Sequence, residues 1–248
     1  VVTQNLFDRK LLKAFKTRAL THFAKHSFLH HEIANRIAEN ISFLNRKFEK
    51  ILEIGAMDEE LQHLILQGMK ANYTFAPDEE NLNLQPESFD LIVSNLNLHL
   101  INEIPQFLLQ IKEALKPGGV FIASFFGEEN LRELAHVLHE SEMEIYAGVS
   151  PRMPPTIDVK TAAMLLQKAG FADPISEFEK IEVDYSKPIN LLRDLKMMGQ
   201  SNVLQKRSRR FFTKKFLQKI SDNYCKLYGQ GDLGVKATFE IVTITGWK

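Results

Sequence analysis

The sequence predicts an α/β protein with a mostly parallel sheet, and three stretches carry that expectation. Residues 50–55 (KILEIG) are an apolar run that ends on Glu-Ile-Gly. Residues 88–93 (SFDLIV) are a second, and residues 119–125 (GVFIASF) are a third, entered through the Lys-Pro-Gly-Gly stop at 116–119. Continuous apolar runs without in-and-out alternation suit strands covered on both faces, and helical spacing fills the gaps between them.

Taken in order, residues 5–20 place Leu6, Phe7, Leu11, Leu12, Phe15 and Leu20 on one helical stripe. Arg9, Lys10, Lys13, Lys16 and Arg18 take much of the remainder, which predicts an N-terminal helix with a solvated basic face. His22, His26 and His30 follow at a four-residue spacing that would align them on an unbroken helix, as an iron or zinc site requires. Ser27 is a plausible N-cap that splits the row, so pocket-lining or exposed histidines are the expectation and no metal is assigned. A helix over 29–44 leads into the first strand. Helix 103–116 and helix 128–145 flank the third strand. Helix 158–169 is capped by Gly170, strand 179–185 follows, and residues 238–247 (TFEIVTITGW) close the sheet as an antiparallel strand.

Bulk composition narrows the class. The chain is 44% hydrophobic and 25% charged, with 31 basic and 31 acidic residues, so no global field draws it to nucleic acid or an anionic surface. The single Cys225 excludes an internal disulfide, fits a reducing compartment such as the cytoplasm, and is expected as a buried thiol late in a helix. No apolar stretch approaches the length of a membrane span.

In a doubly wound sheet, ligands sit at the carboxyl ends of strands, which directs attention to the turn after residue 54. Gly55 gives the backbone freedom for close ligand approach, but Ala56, Met57, Asp58 and Glu59 follow where further glycines are usual. Asp58, Glu59 and Glu60 open the next helix and satisfy its dipole internally. Residues 56–89 number 34, enough for helix 58–69 and one strand at 72–76 but not for two strands with a helix between. One strand and one helix are therefore expected to be missing. The acids that could hold a ribose are Asp78, Glu79 and Glu80 in the loop beyond. After the second run, Ser94–His99 reads as an exposed turn whose Asn95, Asn97 and His99 can point at a ligand, His99 either as base or hydrogen-bond donor or as a structural cap of the next turn.

EIG, SFDLIVSNLNLHLINEIP, IKEALKPGGVFIASFFGEENLREL and ATFEIVTITGWK resemble one branch of the class I methyltransferases. That branch contains the mitochondrial complex I assembly factor of methyltransferase fold and its bacterial relatives, with the malonyl-carrier-protein methyltransferase of biotin synthesis a more distant cousin. NLFDRKLL, VSPRMPPTID and DLKMMGQSN extend the likeness over nearly the whole chain. The resemblance implies a Rossmann-like sheet and S-adenosylmethionine (SAM) as cofactor, contacted by Glu53, Gly55, Asp78 and Glu79, with the deletion removing the second strand and the helix after it. It implies transfer of a methyl group to a small-molecule or protein acceptor oriented by Asn95 or Asn97. It also implies an alternative, an assembly factor or arginine hydroxylase with a remodelled cofactor site, for which His22, His26, His30 and His99 are the metal candidates.

The C-terminal half is expected to supply the acceptor side. The loop GVSPRMPPT covers a cleft mouth with Arg152 as its cation, and residues 186–228 form a helical lid in which Ser201 and Asn202 face the site. Residues 206–219 (KRSRRFFTKKFLQK), from Lys206 to Lys219, are strongly basic; a solvated basic face is the default reading, and a docking face suits an acidic protein partner better than nucleic acid. Phe211, Phe212 and Phe216 at helical spacing are expected in the core. The whole reads as a single domain over 1–248, with a helical cover at 1–48 and a core at 50–127.

Overall fold

The computed structural model describes residues 5–77 and 80–248; Asp78 and Glu79, expected at the cofactor, lie outside the described residues. In chain order the elements are α1 (Arg9–Leu20), α2 (Phe28–Phe43), β1 (Lys50–Ile54), α3 (Glu60–Gly68), β2 (Asn72–Ala76), β3 (Phe89–Ser94), α4 (Ile104–Ala114), β4 (Leu115–Phe126) and α5 (Arg132–Tyr146). The remainder are α6 (Val159–Lys168), β5 (Ala172–Tyr185), α7 (Pro188–Met197), α8 (Lys214–Tyr228) and β6 (Val235–Trp247). The chain divides into two compact units. The first takes residues up to 26, 128–155 and 179–240; the second takes 27–127, 156–178 and 241–248.

The second unit holds the sheet, in the order β2-β1-β3-β4-β6-β5, with β5 and β6 running on into the first unit. β2, β1, β3 and β4 are parallel, and residues 241–247 of β6 run antiparallel to β4, as the closing sequence predicts. The buried runs are those read from sequence: Ile51, Leu52, Ile54, Leu91, Ile92 and Val93 are all sealed. α4 starts with Pro105 in its first turn, where a missing N–H costs nothing, and buries Phe107, Leu108 and Ile111 on the sheet core. Burial of each such side chain contributes about 2 kcal/mol, far more than any helix propensity in this stretch.

Two details of the sheet depart from expectation. The shortening is present: between Gly55 and β3 the described residues hold one helix and one strand. The strand retained is the second, because β2 pairs with β1 in parallel from Lys50↔Asn72 to Ile54↔Ala76. The deletion therefore falls at the outer edge, where a strand can be lost without opening the sheet centre. The Pro-Gly stop is also not a separate loop. α4 ends at Ala114, and residues 115–119 already belong to β4 as a bulge, in which β4 advances five positions from Leu115 to Val120 while β3 advances two from Phe89 to Leu91. Gly118, at φ +72°, donates its N–H to the Lys248 carbonyl at 2.8 Å, which ties that bulge to the end of β6.

The first unit is helical. α5 packs on α8, α7 on α8 and α1 on α7. Asp8 caps α1 by accepting from Leu11 N at 3.0 Å, and Thr213 caps α8 by accepting from Phe216 N at 3.2 Å. The Thr213 cap corrects the reading of the basic stretch. The helix begins at Lys214, so Phe211 and Phe212 precede it; the Phe212 ring still packs on Phe216 with centroids 5.2 Å apart, but Phe216 alone of the three is buried. Phe211 is 90% exposed. Cys225 does lie late in α8, but it is exposed, not buried. The buried stripe of α8 is Phe216, Ile220, Asn223 and Tyr224, and a residue one step past Tyr224 turns about 100° away from it.

Candidate functional site

The second unit places its candidate site where the sheet order reverses. From β1 the chain returns to β2 on one side and to β3 on the other, so the carboxyl ends of β1 and β3 flank the crevice that ligands use in open α/β sheets. Gly55 stands there at φ +76°, a conformation that L side chains rarely adopt, and donates its N–H to the Ala76 carbonyl at 3.0 Å. A Cβ on residue 55 would lie 2.8 Å from Asn97 Cγ, so the Asn97 side-chain amide packs directly on the glycine face.

Glu53, two residues earlier, is buried at 2% exposure and accepts a hydrogen bond from the Tyr73 hydroxyl at 2.7 Å. Burial pushes its carboxyl from the ordinary 4.5 up to about 7; the Tyr73 hydrogen bond opposes that rise and the nearby Asp58 charge adds to it. Burial and the neighbouring carboxylate hold the Tyr73 hydroxyl protonated. Nothing in local spacing announces this partner; it follows from β2 lying parallel to β1, which only the paired strands reveal. Asp58 accepts from Glu60 N at 3.2 Å and pairs with His31 Nε2 at 2.9 Å, so the start of α3 is indeed satisfied by its own acid.

The turn after β3 differs from the exposed loop expected. Leu96, Asn97, Leu98, His99 and Leu100 are all buried, and only Asn95 is half-buried. Leu96 adopts φ +50° and donates its N–H to Ser124 Oγ at 3.2 Å, which folds the turn tightly onto β4. Asn95 donates to the His30 carbonyl at 2.9 Å and accepts from Ser124 Oγ at 3.3 Å, so both ends of its amide are engaged in holding α2 and β4. The His99 ring packs against Phe126 with centroids 4.8 Å apart. The apolar leucines that alternate through SNLNLHL explain the burial: they need cover, and the polar residues between them are carried inward too.

The first unit gathers the three residues expected on the acceptor side. Arg152, Ser201 and Asn202 line one cavity of about 560 Å³, whose apolar walls include Leu134, Leu138, Met153, Leu192, Met197 and Leu217. Arg152 does not offer a free charge. Its Nε and Nη2 both donate to Glu142 Oε1, at 2.9 and 2.6 Å, and its guanidinium lies 4.9 Å from the Phe212 ring centroid. Burial tends to raise the Glu142 carboxyl, but hydrogen bonds from Ser150 and Arg152 outweigh it and hold the group below the usual carboxylate range. Asn202 is a loop staple, donating to the Pro151 carbonyl at 2.9 Å and accepting from Leu204 N at 3.0 Å. Arg193 and Lys196 also line the cavity; sequence reasoning passed over them, although their three-residue spacing on α7 is a readable signal.

The histidine row is broken where Ser27 predicted, between α1 and α2. His26 Nδ1 pairs with Asp194 Oδ1 at 2.6 Å. Among the described residues no three His, Cys, Asp or Glu side chains come together as a metal-ion site. Among them, too, no helix is long and apolar enough to cross a membrane.

Comparison with known proteins agrees with this geometry. Residues 38–123 match the family profile described as a methyltransferase domain. The mouse mitochondrial protein named arginine-hydroxylase NDUFAF5 is 33% identical over 267 aligned residues, covering 98% of this chain and 78% of the relative. Its zebrafish counterpart is 30% identical, covering 98% and 83%. The YcgJ protein of Bacillus subtilis shares the fold, with a TM-score of 0.50 at 13% identity over 88% of this chain and 97% of that one. Sheet order, the glycine at its switch point and similarity over 98% of this chain together show that it belongs to the class I SAM-dependent methyltransferases, in the branch of the NDUFAF5 proteins.

Proposed function

We propose that the chain binds SAM at the carboxyl ends of β1 and β3 and transfers its methyl group to a small-molecule or protein acceptor. The observation that carries this is Gly55 at φ +76° at the point where the sheet order reverses. That conformation lets the backbone turn sharply at the carboxyl end of β1, as a ligand crevice requires, with the Asn97 amide already packed on the glycine face. Bound SAM supplies an electrophilic methyl on a cationic sulfonium. The residues present fit such a group. The backbone from Gly55 to Met57 would hold it, and Glu53, poised between its neutral and charged forms, would favour a cationic ligand when ionised. Asp78 and Glu79 stand about 20 residues past Gly55, the spacing at which an acid reaches ribose hydroxyls. In this reading Asn95, Asn97 and His99 order the acceptor at the turn after β3, Asn95 and Asn97 by fixing the turn and His99 as base or donor. Taken by itself, the cavity of the first unit lined by Arg152, Ser201 and Asn202 is proposed as a substrate subsite.

Titration with SAM and with S-adenosylhomocysteine tests the reading. Micromolar binding that Gly55→Ala abolishes supports it, and the absence of binding at millimolar ligand overturns it. A second reading rests on the relatives' name, arginine-hydroxylase, over 98% of this chain. It is separated by iron-dependent oxygen consumption with an arginine-containing peptide, where uptake that persists without SAM would favour hydroxylation, with His22, His26, His30 and His99 as the side chains to vary. It brings with it a role in assembly of a respiratory complex. We also place the chain in a reducing compartment such as the cytoplasm, supported by the exposed thiol of Cys225. Lys206 to Lys219, with Arg209, Arg210, Lys214 and Lys215 exposed around Phe211, offer a docking face for an acidic protein.

A further inference from the structure

We infer that the cavity of the first unit is a binding site for an amphipathic anion, an apolar chain ending in a carboxylate or phosphate, with the head group held by Arg193 and Lys196. This deepens the reading in which that cavity is a substrate subsite, and it rests on that reading only for the catalytic consequence. Three observations carry it. The cavity, at about 560 Å³, falls within the range of small-molecule sites and is walled by leucine, isoleucine, methionine and phenylalanine side chains from α5, α7, α8 and the segments beside them. Met153 and Met197 adapt readily to an irregular chain. Among the described residues no acidic side chain lines it.

Its cations divide into two kinds. Arg152 is neutralised by Glu142 and stacked on Phe212, so it is wall, not receptor. Arg193 and Lys196 are exposed, and neither has an ion-pair partner among the described residues. Lys196 sits in the last turn of α7, where a cation favours the helix dipole, but that placement does not account for Arg193 one turn earlier on the same cavity. Ser201, whose hydroxyl has no partner among the described residues, adds a neutral donor on the same lining. An apolar chamber with two free cations and no carboxylate selects against cationic and zwitterionic ligands, and its walls exclude a purely polar anion.

The test is calorimetric titration of the full chain, without SAM, with dodecanoate, dodecyl phosphate, dodecanol and dodecylammonium below their micelle concentrations. Both anions are expected to bind, the tighter one identifying the head group as carboxylate or phosphate. The Arg193→Gln/Lys196→Gln double variant, altered only at exposed positions, is expected to weaken the anions by roughly tenfold or more while leaving dodecanol unchanged. Ile189→Trp, which fills the cavity from a partly exposed position, is expected to weaken all binding ligands together. Dodecylammonium binding as tightly as dodecanoate, or anion affinity unchanged in the double variant, overturns the inference. If no probe binds while SAM does, the inference fails and the methyltransferase reading stands. If the anions bind and SAM does not, the site stands without that reading.

Discussion

Glu53→Gln isolates one buried carboxyl and its effect on stability. Glu53 is raised from 4.5 to about 7 by burial, against the pull of the Tyr73 hydroxyl. Between those values the folded protein holds a proton that the unfolded chain has already released. An acid whose folded pKa lies above its unfolded value therefore gives full stability below about 4.5 and loses it progressively as pH rises to about 7. At about 1.4 kcal/mol per pH unit, the loss over that interval is about 3 kcal/mol. Glutamine keeps the shape and still accepts from Tyr73, but carries no proton to lose. Urea unfolding of wild type and variant near pH 5 and near pH 8 gives the double difference, in which other titrating groups cancel. Wild type is expected to lose roughly 2–3 kcal/mol relative to Glu53→Gln between the two conditions. Identical pH dependence of the two proteins would mean that Glu53 is ionised in the fold at neutral pH, and the argument from its burial would fail. Tyr73→Phe removes the hydrogen bond that lowers the carboxyl, so it should raise the carboxyl further and carry the stability loss on to higher pH.

Four further outcomes follow from the same contacts. SAM, as a cation, should bind more tightly as pH rises through about 7, and calorimetry should show the trend flattened in Glu53→Gln. Gly55→Ala combines a positive φ with crowding by Asn97 and should cost about 1–3 kcal/mol by thermal unfolding, part of it recovered in the double variant with Asn97→Ala. Glu142→Gln leaves a guanidinium at 10% exposure without its charge partner and should cost roughly 3 kcal/mol in the same assay. Cys225→Ser, at an exposed position, should change stability by less than about 0.5 kcal/mol, while wild-type Cys225 should react with a thiol reagent in the folded protein.

The sheet was legible in the sequence because its signals are local. Apolar runs, a Pro-Gly stop and a glycine after Glu-Ile locate β1, β3 and β4 without knowledge of their neighbours, and counting residues 56–89 reveals the shortening. What the count cannot say is which strand is absent, since that depends on pairing, and β2 proved to be the partner of β1. The candidate site was legible in part for the same reason. Arg152, Ser201 and Asn202 were singled out separately and do share one cavity. The state of each is set by distant residues: Glu142 neutralises Arg152, and the Pro151 carbonyl takes the Asn202 amide. Phe211 and Phe212 show how one cap resets a pattern, because helical spacing has meaning only within a helix and Thr213 begins it after them.

The retained β2 has a consequence for solubility. As the last strand in the order, it turns one row of backbone N–H and C=O groups outward, and Phe75 beside it is half exposed. Such an edge is a template for stacking by another chain. NYTFA contains no lysine, glutamate or other charge to discourage that. Its protection is brevity, five residues, followed at once by Pro77, which has no N–H to extend the ladder. Pro77 is thus a gatekeeper against fibrous self-association, standing at the same end of the sheet as Gly55, whose N–H donates to the Ala76 carbonyl just before it.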